Sequence, residues 1–403
     1  MTRITRASIE ALRYAFAPGS GRAARAALGD AFEPGRGQTP ARHLEETIGW
    51  LFRAHDATNR HGVSRSFTLR RHHRYGCTGW LPAYPETSGY IVPTLFEAAE
   101  VLERPEAHER AIEIARWEAD IQMDDGAVRG GTVADEPSPA VFNTGQVLFG
   151  WLAAARRTGD LALQNAAERA AAWLVEKQDD DGVWRRGASA FAAEGAHVYN
   201  ARAAWALALY GTIAGDEAAC RAARRSADYA LGVQIENGWY GENCLTDDDQ
   251  PLVHTIAYTA QGVLEIGVVL GVDAYVDSAR RCAKSIAATQ RADGYLHGRY
   301  DRNWNGTVDW SCLTGDAQMA LVWDRLSELD GDAQWREHAD RACDYVCSTQ
   351  ELDSNDEGIR GAVGGSFPIW GGYGTYENLN WAAKFHCDTL LGRVTGRPCG
   401  TQG

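Results

Sequence analysis

The feature that most constrains this chain is a short phrase that returns at a fixed interval. It reads "QMDDGAV" from Gln122, "QDDDGVW" from Gln178, "QIENGWY" from Gln234 and "QRADGYL" from Gln290, each copy starting 56 residues after the last. A fifth copy, "QELDSNDEG" from Gln350, follows after 60 residues with a short insertion, and a degenerate sixth precedes the others at residues 55–62. A period of this length marks one supersecondary unit used repeatedly, each unit burying its apolar face against its neighbours.

The unit is a pair of helices. Residues 41–57 have apolar side chains at Leu44, Ile48, Leu51 and Phe52, which is helical spacing. Similar stretches at 107–122, 163–178, 220–234, 275–290 and 334–350 carry charge on one face only. Between them lie 142–159, 198–215, 254–271, 312–331 and 378–396, with a first member from Glu86. Their leading halves are apolar nearly all round, and a helix of that kind is buried on every side. Six amphipathic and six apolar helices in alternation are satisfied by one closed arrangement. It is an all-α (α/α)6 barrel with an apolar inner ring and an amphipathic outer one. Residues 1–40, rich in Ala, Arg, Gly and Pro, are expected to be an N-terminal extension, and 41–403 a single barrel domain.

The formal charge of −14 disfavours nucleic acid and anionic membrane as partners, since both reward basic patches. No run approaches the ~18 apolar residues of a membrane span, and the N-terminus lacks the pattern of a secretory signal. Nine cysteines (77, 220, 244, 282, 312, 343, 347, 387 and 399) form no C-x-x-C pair. Cys343 and Cys347, four apart on a helix face, read as small apolar fillers. A reducing, cytoplasmic setting is expected.

The "Q-x-x-D-G-x-W" phrase resembles the QW repeat of squalene and hopene cyclases. The toroid is shared by protein prenyltransferase β subunits, lanthionine cyclases, six-hairpin glycosidases, N-acylglucosamine 2-epimerases and several polysaccharide lyases. "YPETSGYIVPTL", "HTIAYT", "CLTGDAQ" and "NWAAKF" are similar to phrases in prenyltransferase-like proteins encoded with bacterial glycan assembly genes. The resemblance covers residues 41–396 and implies the toroid. It leaves the activity open, because one toroid hosts unrelated chemistries.

In such a barrel the long outer-to-inner loops open at one end, where the inner helices present their N-termini. Aligned there are Glu86, Asn143, Tyr199 with Asn200, His254, Cys312, and Asn378 with Asn380. An asparagine suits an N-cap as well as a ligand; capping needs neither Glu86, Tyr199, His254 nor Cys312. His254 and Tyr258 are four apart, hence on one face, and an imidazole beside a phenol can move protons at the carbon next to a uronate carboxylate. Hydrogen bonds to neighbouring helices in a tight core would account for them equally well. Glu86 reads as a catalytic or sugar-binding carboxylate, or as a charge favourable to the helix dipole. Asp124, Asp125, residues 247–249 and Glu377 are further acids. The last long loop, 364–381, joins glycines to Phe367, Trp370, Tyr373, Tyr376 and Trp381, aromatic faces that suit sugar rings. Loops 72–80 and 238–244 would extend that lining. Arg129, Arg299 and Arg360 could neutralise a carboxylate or phosphate.

Three functions compete. The favoured one is a carbohydrate-active lyase, epimerase or hydrolase acting on a saccharide without a cofactor. His254, Tyr258, Glu86 and Tyr199 are its catalytic candidates. Its binding candidates are Asn143, Asn200, Trp370, Tyr373, Tyr376, Asn378, Asn380, Trp381, Arg299 and Arg360. A hydrolase would need two facing carboxylates, about 5 Å or about 6.5–9.5 Å apart. The second function is isoprenoid cyclisation, against which "TDDDQ" (246–250) fails to match the D-x-D-D acid motif. The third is a zinc enzyme, for which Cys312, His386 and Cys387 would be the ligands; Asp309 precedes Cys312 by three residues, unlike the prenyltransferase D-x-C. A non-catalytic glycan-binding or scaffold protein is the remaining alternative.

Overall fold

The computed structural model describes residues 3–397 apart from 16–20, 31, 33 and 190, so that Cys399 lies outside it. Two helices, α1 (Arg3–Ala15) and α2 (Gly21–Gly29), precede six hairpins. The outer helices are α3 (Pro40–Asp56), α5 (Pro105–Asp120), α7 (Leu161–Lys177), α9 (Glu217–Gly232), α11 (Asp273–Ala287) and α13 (Ala333–Thr349). The inner ones are α4 (Pro85–Val101), α6 (Val141–Thr158), α8 (Ala201–Ala214), α10 (Val253–Leu270), α12 (Leu313–Asp330) and α14 (Asn380–Thr395). Each inner helix packs on the next, and α14 packs on α4, so the ring closes. Each outer helix from α5 onward packs on the inner helix before it, and α3 completes the pattern against α14. This is the (α/α)6 toroid.

The burial of the inner wall follows its composition. Every residue of α10 from Val253 to Gly267 is buried. By length and apolarity α10 could also cross a membrane, but 83% of it is enclosed by the barrel. Short inner-to-outer turns follow glycines in the left-handed conformation, as at Gly271 (φ 66°). The next outer helix often starts on an aspartate cap, such as Asp216 accepting from the amide nitrogens of Ala218 and Ala219.

The repeated phrase is a staple between hairpins. Gln178 Nε2 donates to the Gly182 carbonyl in its own turn and to the Ala222 carbonyl on α9, both at 2.9 Å. Gln122, Gln234 and Gln290 make the corresponding pair of bonds. The turn glycine is required twice over. Gly182 has φ 97°, and a Cβ there would lie 2.4 Å from the Arg225 carbonyl oxygen. The turn acid Asp181 pairs with Arg185 on the surface.

The mouth loops carry short strands that two- or three-residue patterns do not announce. β1 (Ser66–Thr68) lies between β2 (Gly79–Trp80) and, near the chain's end, β5 (Glu377–Leu379), both antiparallel, with Phe67 opposite Trp80 and Thr68 opposite Glu377. β3 (Ser311–Cys312) pairs with β4 (Ser366–Phe367). The β1–β5 pair ties the first hairpin's loop to the sixth's, closing the mouth as α14 and α4 close the wall. The N-terminal helices lie against the same region: Arg22 pairs with Asp356 at 2.6 Å, and Asp30 accepts from the Ile369 amide at 2.6 Å.

Candidate functional site

The leading ends of five of the six inner helices, α12 excepted, surround a cavity of about 250 Å³. Glu86 enters it from the first turn of α4, Phe142 from α6, Tyr199 from the 3-10 turn before α8, His254 and Tyr258 from α10, and Trp381 from α14. Loops add Arg65, Tyr84, Phe191 and Tyr373. The walls are mostly aromatic. The Phe142 ring centroid stands 4.8 Å from that of Tyr258 and 5.4 Å from that of Tyr199, and Trp381 Nε1 donates to Tyr373 Oη at 2.9 Å.

Glu86, His254, Tyr258 and Arg65 are set into this lining. Burial pushes the Glu86 carboxyl up to about 7, against the opposing pull of a hydrogen bond from Tyr84 Oη and the charge of Arg65. His254 sits under Tyr258 with ring centroids 4.3 Å apart, its Nδ1 2.5 Å from Gln318 Oε1. Burial depresses its imidazole to about 3, so it is neutral near pH 7, and with Nδ1 donating to Gln318 the Nε2 lone pair is left as an acceptor. Burial and the facing Glu86 raise the Tyr258 phenol, which stays protonated. Arg65, its guanidinium 5.1 Å from the Trp381 ring centroid and 5.4 Å from that of Phe191, donates to Glu377 Oε2 at 2.5 Å.

Glu377 is bound up in that pair. Ser66 Oγ donates to Oε2 at 2.7 Å, and His72 Nε2 stands 3.4 Å from Oε1. Burial opposes ionisation here too, yet the His72 and Ser66 contacts and the Arg65 charge bring the carboxyl down to about 2. It does not line the cavity, which leaves Glu86 as the one carboxyl among the described lining residues.

The four residues proposed from sequence for catalysis, His254, Tyr258, Glu86 and Tyr199, thus meet around one hollow, with Tyr373 and Trp381 beside them. The other binding candidates lie elsewhere. Asn143 Nδ2 donates to the Arg129 carbonyl, Asn378 Nδ2 to the Gly358 carbonyl, and Asn380 Nδ2 to the Ser64 carbonyl and Thr87 Oγ1, so these amides fasten loops. Asn200 is buried outside the lining. Trp370 faces a separate groove, and Tyr376 packs under Arg70. Arg299 donates to the Gln250 carbonyl, and Arg360 pairs with Glu46 at 3.4 Å on the outer wall. The aromatics of loops 72–80 and 238–244 are structural: Trp80 packs on Trp50 and Phe67, and Trp239 on Trp304.

The proposed ligand set Cys312, His386 and Cys387 does not gather. Cys312 is buried where β3 meets α12, its thiol pushed up to about 12 by burial. His386 instead stands with His43 and Cys347. Arg65, Tyr84, Phe142 and Phe191 carry no signal in the sequence, because none lies at the aligned polar position of a repeat. Nor does Arg202, buried beneath Tyr258 with its guanidinium 5.4 Å from that ring centroid and its Nε donating to Gln146 Oε1 at 2.8 Å.

Residues 97–262 match the family model of the squalene-hopene cyclase C-terminal domain. No match is found among curated proteins. Solved structures share the fold over nearly the full chain. An unsaturated glucuronyl hydrolase specific for heparin superposes with a TM-score of 0.69 at 15% identity, covering 89% of this chain and 98% of its own. The unsaturated glucuronyl hydrolase of Bacillus sp. GL1 gives 0.68 at 14% identity, covering 90% and 99%. The cellobiose 2-epimerase of Bacillus thermoamylovorans B4167 gives 0.66 at 15% identity, covering 88% and 98%. The chain is an (α/α)6 toroid that resembles the terpenoid cyclases from the end of α4 into α10 and the six-hairpin glycosidase-like proteins along nearly all its length.

Proposed function

We propose that the protein is a carbohydrate-active enzyme of the lyase or epimerase kind, abstracting a proton from the carbon beside a sugar's carboxylate or carbonyl group. The observation that carries this reading is one carboxyl, Glu86, held near neutrality in an aromatic hollow that also contains a protonated phenol and a neutral imidazole. A group with a pKa near the working pH serves best for proton transfer. Glu86 takes the proton, and the carbon–hydrogen electron pair moves into the adjacent bond. The Tyr258 Oη proton then goes to the departing oxygen in an elimination, or back to carbon in an epimerisation. His254 Nε2 accepts a sugar hydroxyl, Arg65 faces a carboxylate, and Trp381 and Phe142 take the ring's apolar face. His254, depressed by burial, is a weak base and has a binding part.

Paired-carboxylate hydrolysis is less well supported, since Glu377 is committed to Arg65, Ser66 and His72. Isoprenoid cyclisation has the cyclase match and the aromatic lining in its favour. Protonating an alkene demands a strong acid, however, and burial makes Glu86 a weaker acid than usual. The similar structures include a glucuronyl hydrolase and a cellobiose 2-epimerase, which makes glucuronyl saccharides and cellobiose the compounds to try first.

The test is a panel of uronyl, unsaturated uronyl and neutral reducing disaccharides, followed by NMR in deuterated water with wild type and Glu86→Gln. Expected are solvent deuterium at the abstracted position for an epimerisation, or loss of that carbon's proton with a new carbon–carbon double bond for an elimination, either one abolished in the variant. Failure of every saccharide to bind or react would remove the reading.

A further inference from the structure

Away from the cavity, where the ring closes, α3, α13 and α14 bring together residue types that bind soft metals. His43, Cys347 and His386 are buried, and each offers a nitrogen or sulfur atom within 4.8 Å of the others. Among the described residues no other trio of histidine, cysteine and acidic side chains gathers in this way. Cys347 Sγ stands 3.7 Å from His386 Nε2. Zinc–sulfur and zinc–nitrogen bonds of about 2.3 and about 2.0–2.1 Å at a tetrahedral angle set those atoms about 3.5 Å apart. Gln350 Oε1 lies 2.7 Å from His43 Nδ1 and 3.0 Å from His386 Nε2.

The other hairpins show what this place holds when it only packs. Three residues before the repeat glutamine stand Ala119, Val175, Leu231 and Ala287, where the seam has Cys347. Where the fifth hairpin meets the sixth, His338 Nδ1 of α13 lies 2.7 Å from Gln290 Oε1, the counterpart of the His43 bond, but its ring faces Trp323. At the seam His43 faces His386 instead. The staple is kept, and two ligating groups replace its apolar surroundings.

As a hydrogen-bond network the cluster is incomplete. One amide oxygen serves both rings, and His43 Nε2 and His386 Nδ1 are left buried without partners. Turning the inner lone pairs to a cation places a proton on each outer nitrogen, and the Gly35 carbonyl beside the His43 ring can accept one. Nearby Arg393 has its charge offset by Asp324 at 2.8 Å and Asp340 at 2.6 Å. Cys347 also lines a groove of about 910 Å³ with Asp344 and Ser348, a route for the ion to enter and for the thiol proton to leave.

We propose that His43, Cys347 and His386, with Gln350 Oε1 in the fourth position, form a zinc site that fastens the first hairpin to the last. Two imidazoles and a thiolate suit this ion. The proposal is independent of the saccharide reading.

The experiment strips untagged protein with a chelator and titrates zinc against a chromophoric competitor, then repeats the titration with cobalt. One equivalent of zinc is expected, with a thiolate-to-cobalt charge-transfer band and a raised melting temperature. Cys347→Ala, which installs the residue found in two other hairpins, should weaken binding by more than the ~10–100-fold that loss of a ligand's supporting partner gives. It should also abolish the band, whereas Cys312→Ala and Cys387→Ala keep both. Cys347→Ser provides a second variant should the alanine form fold poorly, judged by circular dichroism. Wild-type protein that takes up no stoichiometric zinc, or a folded Cys347 variant that binds like wild type, overturns the proposal.

Discussion

Two carboxyls stand near Arg65 at the mouth of the barrel, and they are driven in opposite directions. Glu86 opens an inner helix among aromatic rings and receives one hydrogen bond, from Tyr84, so burial dominates and its carboxyl rises to about 7. Glu377 lies in β5, where pairing with β1 brings Arg65 and Ser66 within reach and His72 alongside, and its carboxyl falls to about 2. Both side chains are removed from water. The difference is the number of donors and cations each finds there, which is set by strand register on one side and by a helix end on the other. Opposed environments of this kind are what the proposed division of labour, Glu86 for proton transfer and Glu377 for structure, requires.

The largest break in this contrast is Glu86→Gln. If Glu86 is the base, turnover falls by about 10²–10⁴-fold, measured as kcat on whichever saccharide the panel identifies, while binding of that saccharide survives. Next comes Arg65→Met. It strands an ionised Glu377 with only His72 and Ser66, and loss of one partner of a buried pair costs about 3–5 kcal/mol. Urea unfolding at pH 7 should show a loss at the lower end of that range.

Acidity then separates the two groups without further substitutions. Glu377 stabilises the fold above its ordinary value of 4.5, and that contribution is lost as pH falls toward about 2. Glu86 works the other way. Between 4.5 and about 7 the folded chain holds a proton that the unfolded chain has released, so stability declines as pH rises through this window. The gap corresponds to at most about 3 kcal/mol. Glu86→Gln should therefore be more stable than wild type at pH 8, with the advantage vanishing near pH 4.5. Equal unfolding midpoints at pH 8 would remove the raised carboxyl.

What the sequence disclosed and what it hid divide along the same physical line. The glutamine–glycine phrase recurs because five of the six hairpins use the same staple, so a local motif reported a global closure. Glu86, Tyr199, His254 and Tyr258 were legible because each sits at the equivalent leading end of an inner helix, a position that periodicity fixes. Asn380 shares that register yet spends its amide on Ser64 and Thr87. Alignment gives a residue's height in the barrel but not which way its side chain turns. Arg65, Tyr84 and Phe191 come from loops whose paths depend on strands of two or three residues, and no periodicity reaches them. Cys347 reads as core filler in the sequence, and His386 is grouped there with Cys312 and Cys387, because the residue that joins them, His43, is about 300 residues away in the chain and adjacent only once the ring closes.

The smallest expected effect sharpens the contrast most, because it removes one hydrogen bond from each carboxyl. In Tyr84→Phe the Glu86 carboxylate loses the bond from Tyr84, while the burial that raises it is unchanged. Its proton is then held more tightly. For a base that must be ionised, kcat/KM rises with pH through the carboxyl's titration, so the midpoint should move from about 7 to a higher value. A hydrogen bond to a charged group is worth about 1.5–3 kcal/mol, which limits the move to about one or two pH units. In Ser66→Ala, Glu377 keeps His72 and the Arg65 cation, so its carboxyl stays ionised at neutral pH and the rate profile should keep its midpoint. The loss should surface only as an acid unfolding midpoint moved to higher pH. A Tyr84→Phe enzyme with an unmoved midpoint would mean that the group titrating in turnover is not Glu86, whatever the fate of Glu377.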